Sequence, residues 1–261
     1  MKYWRAALFG VLALAALGLL LLWYLPARWV MPLLASRLNG VRLEEVSGPL
    51  WDGRAGQVIS AKGSDLGRAN WQLSRRALLG DNRLHFELHG PRIEFSGSMT
   101  GANAADAQWT DVHMRLDLEV LAAQLTLPTG QPRGTLEMTA SKVQLHGGWP
   151  LTLDARGHWM DAMVLTPRQG EIPLGTLQLS LHASNGVIEG HLADSGQGPL
   201  RIDGRLQLSP LARRFTAVAA SRGNAPALQR WLSGFGATDA DGVTHINYSG
   251  GLAAAVPGGK S

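Results

Sequence analysis

The chain reads as a mainly β protein: an N-terminal transmembrane helix followed by a long antiparallel, curved β-sheet, an open trough or partial barrel, with one or two short helices. Two patterns predict this. Residues 6–25, AALFGVLALAALGLLLLWYL, contain no charge, no proline and no amide side chain. From Val41 onward apolar residues recur at every second position, the period of strands with one dry and one wet face.

As a helix the first segment is about 30 Å long, the thickness of a bilayer's hydrocarbon core. Tyr3 and Trp4 stand at one end and Trp23, Tyr24 and Trp29 at the other, where amphipathic rings favour the headgroup layer. A cleaved leader would have a shorter apolar core and a small-x-small site. Here Leu25 would take the outer position of a site ending at Ala27, so an uncleaved signal-anchor is expected. The domain plan that follows is a cytoplasmic tail at 1–5, an anchor at 6–25, a juxtamembrane helix at 26–40, a periplasmic β-rich domain at 41–252 and a flexible tail at 253–261. The juxtamembrane helix rests on Trp29, Val30, Leu33, Leu34 and Leu38 at helical spacing, with Pro32 as a kink or second start and Gly40 as the stop.

The strand series is explicit. Leu84, Phe86 and Leu88 share one face of 83–90, and Val112 to Val120 alternates throughout. Leu136 and Met138 are followed by Val143 and Leu145 one register later, which predicts a bulge near Lys142. Leu177, Leu179 and Leu181 form another row, as do Leu200, Ile202, Leu206 and Leu208 around Gly204; Ile246, Tyr248 and Leu252 close the series. The segments 91–97, 150–157 and 199–204 each start with Pro, alternate and reach Gly, so Gly97, Gly157 and Gly204 are expected at bends or bulges. A helix is expected at 224–232, with Asn224 as cap, Pro226 in the first turn and Leu228, Trp231 and Leu232 on one face. Short helical crossovers are expected at 74–80 and 209–214.

Composition narrows the function classes. The net charge is +4, and 20 arginines are spread along the chain, the densest clusters being the pairs Arg75-Arg76 and Arg213-Arg214. Nucleic-acid binding needs clustered cations interleaved with aromatics, so no nucleic-acid partner is expected. With no cysteine, disulfides, thiolate nucleophiles and thiolate metal sites are excluded.

No motif supplies chemistry. His85 and His89 have the spacing of a helical metal pair, but on a strand they stand ~13 Å apart. His113, His182 and His245 likewise alternate out of apolar rows and read as solvent-facing. Asp239-Ala240-Asp241-Gly242 opens like a calcium loop, yet Tyr248 stands where a bidentate Glu is needed, so it reads as a turn. Ser195 and Ser233 lack the context of a nucleophile elbow. Asn247-Tyr248-Ser249 matches a glycosylation acceptor, a triplet common by chance. No catalytic residue, cofactor site or metal site is expected, and the chain is not read as an enzyme.

At 46–55 the order is V-S-G-x-x-W-x-G-x-A, and Leu66-Gly67 with Trp71 and Leu73 is followed by Ala77-Leu78-Leu79. Behind an apolar anchor, and with the late ALQRWL helix before DADGVTHINYSGGL, this order resembles the type II secretion system protein N family, also called general secretion pathway protein N. Pro49 and Arg75-Arg76 depart from the usual pattern. The resemblance implies an inner-membrane accessory component of the machinery that exports folded proteins across the outer membrane. It implies as partners the bitopic assembly-platform proteins, with the outer-membrane secretin as a further expected partner. Trp51, Trp71, Trp149 and Trp159 are expected to fill the dry face of the sheet, or to cap an edge where a partner strand docks. The alternative is a membrane-anchored β-groove protein that binds or conducts lipid acyl chains, as AsmA-like and lipopolysaccharide-bridge proteins do, since those share the same anchor and alternation.

Overall fold

Alternation carries over into strands almost wherever it occurs. The structure, a computed structural model, describes residues 23–34, 40–101, 103, 105–122 and 130–251. The expected anchor lies outside the described residues up to position 22, as do the tails at 1–5 and 253–261, Leu38 and Leu252. Among the described residues no helix is long and apolar enough to cross a membrane. The chain divides into two compact units, Met1–Pro91 and Arg92–Ser261.

The first unit begins with helix α1 (Ala27–Leu34), which runs through Pro32 and covers the first part of the expected juxtamembrane helix. Four strands follow as an antiparallel meander: β1 (Arg42–Ser47), β2 (Asp52–Ile59), β3 (Asp65–Leu73) and β4 (Arg83–His89). Between β3 and β4 lies a 3₁₀ helix, Arg75–Leu79, the expected short crossover. Ser74 Oγ accepts from the Arg76 amide at 3.2 Å, and Gly80 closes the turn in the left-handed region at φ 91°.

The second unit is a ladder of long strands. Its elements are β5 (Ile93–Gly101), β6 (Ala107–Asp117), the single turn α2 (Glu119–Ala122), β7 (Gln131–His146), β8 (Trp149–Thr166), β9 (Gly170–Ser184), β10 (Val187–Asp194), β11 (Leu200–Leu208), β12 (Ala212–Ser221), α3 (Pro226–Leu232), β13 (Gly236–Thr238) and β14 (Thr244–Gly251). From β5 to β12 each strand pairs antiparallel with the next. Only the end departs: β14 pairs with β12, and β13 lies outside β14. Asn185 (φ 52°) and Gly186 (φ 78°) join β9 to β10 as a two-residue turn with both residues left-handed, which suits an Asn-Gly hairpin.

The apolar face of this unit is built from Ile172, Leu174, Leu177, Leu200, Ile202, Ala217 and Ala219. Helix α3 closes over it with Leu228 and Leu232, each 2% exposed, while Trp231 packs at the margin. Burial of each leucine contributes roughly 2 kcal/mol.

Several expectations are corrected. The row from Val112 stops at Asp117, whose Oδ1 accepts from the Glu119 amide at 3.0 Å and turns Leu118 and Val120 out of the strand. Residues 209–214 are no helix: Ser209 and Ala212 pair across a two-residue turn with Pro210 in its first central position, and β12 starts at Ala212. Ala225, not Asn224, occupies the start of α3, with no side-chain cap. The bulge near Lys142 is present, between Ala140 and Lys142, and a register shift also falls at Gly97. Gly157 and Gly204, however, sit in unbroken ladders. A Cβ on Gly204 would come within 3.1 Å of the Phe215 ring, so there the glycine gives an aromatic ring room on the neighbouring strand.

The loop after β10 is locked by Asp194, whose side chain is 8% exposed. Its Oδ1 accepts from the Ile202 amide and its Oδ2 from the Gly196 amide, each at 2.8 Å. The same Oδ2 pairs with Arg222, which also donates to the carbonyls of Gly198 and Leu200. Burial pushes the Asp194 carboxyl up, but the Ile202 amide, the Arg222 guanidinium and the Gly196 amide together outweigh it and hold it below the ordinary 3.8. A lowered folded-state pKa gives stability that is present above the ordinary value and lost as pH falls through the folded one. Asp194→Asn should therefore cost about 2 kcal/mol at neutral pH, read by urea unfolding of the full chain, and the gap to wild type should close as the pH falls below the ordinary aspartate range.

Candidate interaction site

Two constructions stand out, one in each unit. In the first, the motif residues form a grip on the start of the body. Gly53 and Trp71 are directly opposite on β2 and β3. The indole lies so close that a Cβ on Gly53 would come within 2.3 Å of Trp71 Cζ2. Trp71 Nε1 donates to the Leu50 carbonyl at 2.9 Å, and the Leu73 amide donates to Trp51 O at 2.8 Å. The loop so fixed holds the segment that follows the apolar run. The Ala27 amide donates to Gly48 O at 3.0 Å and the Leu50 amide to Leu25 O at 2.8 Å, flanking a bridge between Pro26 and Pro49. Pro49 costs nothing here, because its neighbours supply the donors. Trp51, Trp71, Ala55 and Ala69 are all buried, and Ala27 is fully so.

In the second unit, a cavity of about 1220 Å³ opens on the polar face of β7–β12. Its floor is a register row: Thr139, Arg156, Ser180, His191, Arg205 and Thr216 are successive cross-strand partners. At ~4.8 Å per strand the row spans roughly 24 Å. A parallel row carries Asp154, His182, Glu189, Gln207 and Arg214. Two acids of this face are engaged by histidines: His182 Nδ1 lies 3.1 Å from Asp154 Oδ1, and His191 Nε2 lies 3.3 Å from Asp203 Oδ1. Arg156, Arg205 and Arg214 have no ion-pair partner among the described residues. Three guanidiniums against Asp154 and Glu189 leave the lining mildly cationic, with donors free to meet carboxylates.

Sequence-predicted residues fall into place around these features. Trp51 and Trp71 are buried as expected, whereas Trp149 and Trp159 are half-buried, the first tying its ring to the β9–β10 turn and the second to β7. Trp149 Nε1 donates to Gly186 O and Trp159 Nε1 to Arg133 O, both at 2.8 Å. His85 and His89 both approach Glu87, at 3.2 and 3.5 Å. Hydrogen bonding to His85 first, then to His89, holds the Glu87 carboxyl below its ordinary range. His113 and His245 are exposed. The Asp239 carboxylate is spent on the amides of Asp241 and Val243, which makes 239–242 the turn from β13 to β14. Ser195 lies in the loop that Asp194 organises. Among the described residues no group of His, Asp and Glu is placed to hold a metal ion. Any groove was expected on the apolar face; a hollow on the polar face was not foreseen, because its arginines appear in the sequence only as the wet half of alternating rows.

Each unit is built of antiparallel β-strands, the first with a gripped N-terminal junction and the second with a trough on its polar face. The family model for type II secretion system (T2SS), protein N matches residues 39–247. A relative from Aeromonas hydrophila, "Type II secretion system protein N", is 31% identical over 213 residues, 78% of this chain and 80% of its own length. No solved structure matches. The chain belongs to the type II secretion system protein N family.

Gly53→Ala should cost about 1–3 kcal/mol by forcing the Trp71 ring off the strand. Trp71→Phe should cost about 1 kcal/mol through the lost bond to Leu50. Chemical denaturation of both full-length variants measures this, and limited proteolysis should show faster cutting at 25–30 in each.

Proposed function

We propose that the chain is an inner-membrane accessory component of type II secretion, a periplasmic scaffold that helps export folded proteins across the outer membrane. Residues 6–25 anchor it with a single pass, 1–5 remain in the cytoplasm, and the β-rich part from 41 to 252 recognises other components in the periplasm. Family membership supports the machine. The single observation that supports recognition is the trough, with Arg156, Arg205 and Arg214 free of ion pairs among the described residues. Its partner is an acidic segment of a bitopic assembly-platform protein, with the secretin as the further candidate. The row of guanidinium, imidazole and hydroxyl groups along the floor offers a carboxylate-bearing polypeptide charge-assisted hydrogen bonds that an acyl chain cannot use, so the trough favours polypeptide over lipid.

The test uses the full chain in detergent and purified periplasmic segments of the platform proteins. Wild type should bind one of them with an affinity that falls as salt rises. The triple variant Arg156→Glu, Arg205→Glu, Arg214→Glu should bind at least tenfold more weakly while unfolding at an unchanged denaturant midpoint. Binding that ignores both salt and these substitutions, or no binding to any platform segment, refutes the reading. Solvent extraction of the purified chain followed by mass spectrometry should yield no stoichiometric lipid.

A further inference from the structure

The 3₁₀ turn Arg75–Leu79 is an anomaly for a surface connection. It buries none of its five residues, yet two of them are leucines, Leu78 at 53% and Leu79 at 89% exposure. Exposed connections are ordinarily polar. The turn is also tied to a particular place on the chain: the Arg75 guanidinium lies over the Trp23 ring, 4.3 Å from its centroid, a cation–π contact. Trp23 and Tyr24, 49% and 68% exposed, are the last aromatics of the apolar run that ends at Leu25. The ion pairs near this turn belong to Asp81 and Glu87 and leave Arg75 and Arg76 unpaired among the described residues.

We infer that this turn is a second membrane contact: its leucines enter the headgroup layer of an anionic bilayer beside the end of the anchor, and Arg75 and Arg76 meet lipid phosphates. The inference rests on the reading that residues 6–25 span the membrane. Distances agree with it. Five residues of 3₁₀ helix rise only about 8 Å, so with Arg75 on Trp23 the leucines lie within reach of the interface that the Trp23 ring favours. Interfacial segments bury their apolar side ~5–10 Å deep, the scale of one leucine side chain. The charge is complementary to anionic lipid. A contact at the turn and another at the anchor would fix the tilt of the first unit against the membrane, where a single tether would let it swivel.

The absence of cysteine makes the test direct. Leu79→Cys, Leu78→Cys and, as a reference, Leu211→Cys (62% exposed, in the β11–β12 turn) are made in the full chain and labelled with an environment-sensitive nitrobenzoxadiazole dye. The proteins are placed in nanodiscs of phosphatidylethanolamine and phosphatidylglycerol. Labels at 78 and 79 should shift to the blue and be quenched several-fold by doxyl-bearing lipid, whereas the label at 211 should respond to neither. Arg75→Glu with Arg76→Glu should abolish most of that quenching. Nanodisc-bound protein whose labels at 78 and 79 behave like that at 211 overturns the inference and leaves the anchor standing. Protein that fails to enter nanodiscs overturns both.

Discussion

Register is the constraint on which the second unit depends. Because side chains alternate strictly along a strand, a one-residue slip would exchange the dry and wet faces of every strand beyond it. The long ladders of β7, β8 and β9 are crossed by several register shifts, at Ala140/Lys142, Gln144/Leu145 and Trp159/Ala162 among others, and each adds or removes a residue without losing the facing. Asp161, left-handed at φ 48°, is where β8 absorbs one of them. The result is that Ile172, Leu177, Leu200 and Ala217 reach one core while Arg156, His191 and Arg205 line up on the opposite side.

The first unit depends on a different device. A glycine on β2 leaves a slot, a tryptophan on β3 fills it, and the indole N–H fixes the loop between β1 and β2. That loop then pairs with Leu25 and Ala27. The V-S-G-x-x-W-x-G-x-A motif is therefore a structural joint between the segment at 25–27 and the strands that follow. Its tryptophans are spent internally, Trp51 and Trp71 being 6% and 7% exposed.

The strands were legible because alternation is a local, two-residue signal: the rows at 83–89, 177–181 and 200–208 needed nothing else. The bulge at Lys142 was legible for the same reason, as a break in phase. What failed were places where a side chain overrules the pattern. Asp117 stops β6 by capping a turn, and Ser209 closes a hairpin where Pro-Leu-Ala-Arg-Arg looked helical. Gly157 and Gly204 looked like bends because their role, room for Met138 and Phe215 on adjacent strands, is a non-local fact. That the hollow lies on the polar face was illegible for the deepest reason. Which side chains share a face can be read from parity, but whether that face is hollow depends on how six strands bend together, and no single window of sequence carries that.

The strand order of the second unit has a bearing on how it is made. From β5 to β12, neighbours in space are neighbours in the chain, so each new hairpin needs only the strand just laid down, and loop-closure costs stay small. A polypeptide delivered N-terminus first can zip up as it arrives. The exception comes last: β14 follows α3 and β13 in the chain yet is the strand that pairs with β12, so the final segment acts as the clasp of the assembly, and until it arrives the edge of β12 stays open to any other strand that comes near.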